Sequence, residues 1–242
     1  MKRFSLYLTL FLVLISCNCA PSPTTRVLFV GNSYTKSGDL PQMFLELAKA
    51  GGHRVEVGMS QQGGWDLRDH LKADKTVDAI NSRKWHYVVL QEQSLIPAFE
   101  QARIEEMYPA ARELDSLIKE QGATTLFFVT WGWQTGLPEA GINSYEIMQD
   151  EIDRGYSEIA EELDAMLAPV GAAWRIVATE HPDMKLWQGD GSHPATRGTY
   201  LAACVFYATI FQESPVGLPY APKMPAEEIK ILQSAAAEAV LK

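Results

Sequence analysis

Apolar residues along this chain come in short runs of strand length, separated by stretches in which they recur every three or four positions. The runs are RVLFV (26–30), RVEVGM (54–59), HYVVLQ (86–91), TTLFFVTW (124–131) and a weaker GAAWRIV (171–177). Most are rich in β-branched and aromatic side chains, the composition of a buried strand. Between the first two, Leu40, Phe44, Leu47 and Ala48 fall on one helical face, which Gly51 and Gly52 end. Further on, Pro109 fits a first helical turn, Leu114, Leu117 and Ile118 supply the buried stripe, and Gly122 stops the helix. The longest helix is expected over 143–167. Asn143 is its cap, Tyr145, Met148, Ile152, Tyr156, Ile159, Leu163 and Met166 are its stripe, and Pro169 is its stop. Strand and helix alternate with short links, so the strands should be parallel and covered on both faces. The pattern predicts an α/β fold, a three-layer α/β/α sandwich around a central parallel sheet of about five strands. Ligands of such sheets bind beyond the carboxyl ends of the strands. Chemistry is therefore expected just after Val30, Met59, Leu90 and Thr130.

The segments at those ends are polar in an informative way. After Val30 comes Gly31-Asn32-Ser33, where a serine on a tight strand-to-helix turn presents its hydroxyl at the sheet edge and its N–H at a helix start. The same residues would equally serve as a plain helix cap. After the second strand, Gly63 and Gly64 let the backbone approach a ligand closely. After the third, Gln91-Glu92-Gln93-Ser94 follows an apolar strand. Buried amides need partners, so these side chains face either a cleft or one another. Far downstream, in GDGSHP (189–194), Asp190 and His193 are spaced so that the carboxylate can fold back on the imidazole and hold its tautomer. A rival pairing of His181 with Glu180 or Asp183 has no strand end beside it.

Charge and the first residues narrow the partners. Lys2 and Arg3 precede the apolar LYLTLFLVLI, too short to span a bilayer and shaped as an export signal over 1–16. LISC (14–17) resembles the lipobox of bacterial lipoproteins, which implies cleavage before Cys17 and lipid on that cysteine; ordinary secretion with cleavage after Ala20 is the alternative. Residues 17–25 then form a tether and 26–242 one domain. Loss of the leader leaves 19 basic against 30 acidic residues, a balance of −11, which repels phosphate backbones and excludes nucleic acid as a partner. Cys17, Cys19 and Cys204 build no disulfide framework. Neither a metal-binding spacing nor a nucleotide-binding loop occurs, so no metal or cofactor is expected.

In their order along the chain, these blocks resemble the SGNH (GDSL) hydrolases. Gly31-Asn32-Ser33 is similar to the family's first block, with Asn32 for the usual aspartate. Gly64, or Gly63 one register off, matches the second, and Asp190-Gly191-Ser192-His193 matches the last. The third block departs, with Gln91-Glu92-Gln93-Ser94 where the family carries Gly-x-Asn-Asp. The resemblance implies an esterase with Ser33 as nucleophile, His193 as base and Asp190 as its orienting acid. The oxyanion hole would be built from Ser33, Gly64 and Gln93 or Gln91. Asn32, Gly63, Gln91, Trp65 and Trp131 are expected to contact substrate, the tryptophans as stacking surfaces for sugar rings. VVLQEQS, VTWGW and DGSHP also look like a branch of the family from gut bacteria that live on polysaccharide. An O-acyl, first of all O-acetyl, ester of a carbohydrate is the expected substrate. A lipase-like enzyme for longer acyl chains and a non-catalytic glycan-binding lipoprotein are the alternatives. Lipid attachment would place the domain at the outer membrane, facing the periplasm.

Overall fold

Val27 and Phe29 of the first strand pack on one side and Leu28 and Val30 on the other, all four buried, so this strand has to lie inside the molecule. The computed structural model describes residues 23–242; the leader, Cys17 and most of the expected tether lie outside the described residues. The first strand, β1 (Thr25–Gly31), is followed by a single turn α1 (Ser33–Lys36), then α2 (Leu40–Ala50) and β2 (Val55–Gln61). Two short helices, α3 (Leu67–Lys72) and α4 (Asp74–Asn81), lead to β3 (Tyr87–Leu90). A brief α5 (Glu100–Ala102) runs through a π-helical turn into α6 (Tyr108–Glu120), then β4 (Thr124–Phe128). The chain finishes with α7 (Tyr145–Leu163), β5 (Met166–Ala168), α8 (Val170–Glu180), α9 (Thr196–Phe211) and α10 (Ala226–Val240).

All five strands are parallel in the order β2-β1-β3-β4-β5. Helices α2, α8, α9 and α10 cover one face, and α3, α4, α6 and α7 cover the other. The expected three-layer sandwich of five strands is the fold found. Because the chain moves outward from β1 first to β2 and then to the opposite side, a crevice opens beyond the carboxyl ends of β1 and β3. Ser33 follows β1 directly and lands there.

Two expectations about elements fail for one reason. GAAWRIV (171–177) is not a strand but the body of α8, where Val170, Ala173, Trp174 and Val177 form a buried helical stripe. The fifth strand is Met166–Ala168, which the periodicity had absorbed into the preceding helix. That helix ends at Leu163, where Asp164 turns into the left-handed region (φ 48°), and it begins one residue later than expected, capped by Ser144 rather than Asn143. A three-residue strand is too short to show a period of its own against the three-residue spacing from Leu163 to Met166.

The loop after β4 is braced from α7. Gln149 Oε1 accepts the Gly132 N–H at 2.9 Å, and its Nε2 donates to the Thr130 carbonyl at 3.1 Å. Gly171 lies against this amide: a Cβ there would sit 2.1 Å from Gln149 Nε2 and 2.4 Å from the Thr130 carbonyl oxygen. Gly171→Ala is therefore expected to cost about 2 kcal/mol by overpacking, read as a lower urea midpoint at unchanged slope. An unshifted midpoint would mean that α8 slides away without loss.

Candidate active site

The turn after β1 is organised by polar contacts that start from its own residues. Asn32 is the N-cap of α1, with Oδ1 accepting the Tyr34 N–H at 3.1 Å and Nδ2 donating to the Trp65 carbonyl at 3.0 Å. The capping reading of this turn is thus true of Asn32, and it leaves Ser33 free to project. Gln91 lies underneath, wholly buried. Its Oε1 accepts the Asn32 N–H and the Thr35 hydroxyl, each at 2.9 Å, and its Nε2 donates to the Glu92 carbonyl at 2.5 Å. From the other side His70 Nε2 lies 2.9 Å from the Gly31 carbonyl. A carbonyl can only accept, so Nε2 carries the proton and Nδ1 accepts the Thr76 hydroxyl at 2.9 Å. Burial pushes the His70 pKa down, consistent with this neutral brace.

Asp190 and His193 sit on a hairpin closed by antiparallel pairing of Trp187 with Pro194 and by a Gln188 N–H to His193 carbonyl bond of 2.8 Å. Asp190 Oδ1 accepts the N–H groups of Ser192 and His193, each at 3.0 Å, and its Oδ2 lies 2.7 Å from His193 Nδ1. These contacts, led by the Ser192 N–H, hold its carboxyl below the usual range. The carboxylate only accepts, so Nδ1 is the donor and Nε2 of the neutral ring is an acceptor. Nε2 stands 2.9 Å from Ser33 Oγ. The hairpin is pinned over the turn by a 2.6 Å bond between Tyr34 and Ser192 hydroxyls and by the Trp131 indole N–H on the Ser192 carbonyl at 2.9 Å.

The structure therefore brings Ser33, His193 and Asp190 into one hydrogen-bonded line although 160 positions separate the first two. Gly64 has φ +76°, a left-handed conformation that favours glycine, and open space around it. Among the described residues neither its N–H nor that of Ser33 has a hydrogen-bond partner. Gly63 is exposed. Gln93 is oriented by its own Oε1, which accepts the Leu95 N–H at 2.7 Å, and among the described residues its Nε2 has only a long 3.5 Å contact with Ser94 Oγ. Trp65 is half-buried, with Lys75 Nζ 4.2 Å over its ring.

Three expected substrate contacts need correction. Trp131 has no exposed surface, because its ring is stacked between Tyr34 (4.7 Å) and Trp174 (3.9 Å). Gln91 has none either, and both ends of its amide are spent inside the protein, so neither substrate binding nor an oxyanion role is open to it. Asn32 is buried and its amide is committed to the turn and the Trp65 carbonyl. All three hold the site together instead. His181, the rival histidine, lies in a cleft between α8 and α10 beside Glu227 and Lys230.

Sequence reasoning gave no role to Tyr34, His70 or Glu92. Glu92 is fully buried, and one oxygen, Oε1, accepts both the Leu67 N–H (3.1 Å) and the Gln93 N–H (2.6 Å). A carboxylate directly after an apolar strand was the signal that could have singled it out, since burial of that group demands a reason.

No protein-family model matches the chain, and no curated protein does. Solved structures do match. A DUF4886 family protein from Bacteroides uniformis is 22% identical, with a TM-score of 0.79 over 90% of this chain and 95% of its own. A protein from Slackia heliotrinireducens described as a candidate SGNH hydrolase is 29% identical, with a TM-score of 0.68 over 78% of this chain and 100% of its own. An acetyl xylan esterase, AlAXEase, is 14% identical, with a TM-score of 0.62 over 76% and 99%. The five parallel strands, their helical layers and these structural neighbours together give the chain the SGNH-hydrolase-like α/β sandwich fold.

Proposed function

We propose that this protein is a serine carboxylic-ester hydrolase of the SGNH type that removes small O-acyl groups, acetyl first among them, from carbohydrate. One observation carries the reading: Ser33 Oγ, His193 and Asp190 stand in line at 2.9 and 2.7 Å at the carboxyl edge of the sheet. In the reaction Ser33 Oγ attacks the ester carbonyl carbon as its proton passes to His193 Nε2, and Asp190 stabilises the imidazolium through Nδ1–H. The carbonyl oxygen becomes an oxyanion facing the N–H groups of Ser33 and Gly64 and the amide of Gln93. One such donor is worth about 3 kcal/mol of barrier. Collapse of the intermediate expels the alcohol, which takes the proton from His193. A water molecule then repeats the sequence on the acyl-serine, releasing the acid and restoring Ser33.

A carbohydrate fits the surroundings of the hairpin. A cleft of about 340 Å³ is lined by the half-buried Trp187 together with Gln134, Lys185, Gln188, Pro182 and Met184, and it reaches Gly189, the neighbour of Asp190. An indole flanked by amides and an amine suits a polyhydroxylated ring better than a long acyl chain. Export and lipid attachment at Cys17 would put the enzyme at the outer membrane, facing the periplasm. The test is hydrolysis of chromogenic esters from acetyl to long acyl. Turnover highest on acetyl and abolished by a serine-directed phosphonate bound to Ser33 is the expected result. Glycan binding without turnover of any ester would replace the reading with a binding protein on the same fold.

A further inference from the structure

The Glu92 carboxyl joins two loops that the proposed reaction needs in register. Leu67 opens α3 three residues after Gly64, and Gln93 carries the proposed side-chain donor; both N–H groups converge on Glu92 Oε1. The Glu92 N–H in turn donates to the Tyr156 hydroxyl of α7 at 3.1 Å, so the backbone here is held from below as well. The second oxygen, Oε2, is buried and has no hydrogen-bond partner among the described residues. The cation that acts on Glu92, Arg68 of α3, is taken by Asp66, at 2.6 Å, and by Glu106. The groups facing Glu92 are thus Asp66, the neutral phenol of Tyr156 and an Arg68 already shared by two other carboxylates, so the one counter-charge is weak and does not offset burial.

We propose that Glu92 is a positioning residue for the oxyanion side of the site: its Oε1 clamps the Gly64 loop to Gln93, and ionisation, which puts charge on the unpartnered Oε2, opens this dry joint to water and loosens it. Two N–H donors on Oε1 and a shared arginine compensate a carboxylate here only in part, and in so dry a position the desolvation cost outweighs them. Burial, with Asp66 nearby, pushes its pKa up to about 8, against an ordinary 4.5. Because the folded-state value is raised, the stabilisation is complete below about 4.5 and is lost as pH rises to about 8.

The proposal rests on the esterase reading, and two measurements separate them. Glu92→Ala should lower kcat for an acetyl ester about 100-fold with little change in KM, the effect of misplacing donors by roughly an ångström. Glu92→Gln keeps an accepting oxygen and cannot ionise; it should recover most of that loss and remove the decline of kcat/KM that the wild type shows above about pH 8. Independently of activity, the urea midpoint of the wild type should fall relative to Glu92→Gln between pH 5 and pH 8. An alkaline decline that Glu92→Gln shares with the wild type, or a wild-type midpoint that does not fall relative to Glu92→Gln between pH 5 and pH 8, overturns the proposal, as does wild-type kcat in Glu92→Ala. If no ester is cleaved by the wild type, the catalytic part falls with the esterase reading, while the midpoint series still decides whether Glu92 is buried as an acid.

Discussion

Ser33→Ala is expected to lower kcat on an acetyl ester about a million-fold, and His193→Ala by nearly as much, with the double variant no worse than either alone. The hydroxyl and the imidazole act as one unit, so removing either removes the attack step and leaves only binding and the oxyanion donors. Asp190→Ala should cost less, about 10⁴-fold, because the imidazole can still accept a proton but is no longer held in its tautomer. Among the described residues Ser33 Oγ bonds only to His193, so the Ser33→Ala thermal midpoint should stay near that of the wild type. Steady-state rates with purified variants decide the matter. Turnover by Ser33→Ala at the wild-type rate would end the proposed mechanism.

Gln91→Leu should have the largest combined effect on activity and stability outside the Ser33–His193–Asp190 line, although the residue never reaches solvent. Its amide pairs two donors, the Asn32 N–H and the Thr35 hydroxyl, and one acceptor, the Glu92 carbonyl. Leucine fills similar space with no polar atom, so three buried groups lose a partner, each at about 1–3 kcal/mol. With each loss at the low end of that range, the expected loss of stability is about 3 kcal/mol. Because the Asn32 N–H immediately precedes Ser33, the nucleophile should shift too, with about 100-fold lower kcat in the fraction that remains folded. Denaturant unfolding and kinetics on the same sample read both effects. A variant within 1 kcal/mol of the wild type, with unchanged kcat, would show that Gln91 is dispensable to the turn.

These two predictions also mark where reading the chain succeeded and where it stopped. The turn after Val30 and the Asp190–His193 spacing were legible because each is local: a strand end is visible in four apolar residues, and a carboxylate three positions before a histidine can fold back on it. Gln91, Asn32 and Trp131 were recognised as unusual but assigned to substrate, because an amide or an indole at a strand end looks the same in sequence whether its partner is a sugar or a neighbouring loop. Their partners lie 59, 33 and 61 positions away. No local pattern carries that information.

The alternation of apolar runs with helical stripes was sufficient, by itself, to indicate a parallel sandwich and to find four of its five strands, since a strand with two apolar faces has no other way to be covered. It also placed the polar segments at one end of the sheet. Only the tertiary structure decided which of them are spent on each other. The 2.9 Å approach of His193 to Ser33, the stacking of Tyr34, Trp131 and Trp174, and the burial of Glu92 all depend on how loops from separate strands pack. Hydrogen bonds and ring stacks between distant segments form after the layers have assembled, so their pairing is a property of the assembled edge and is not written in any one stretch of chain.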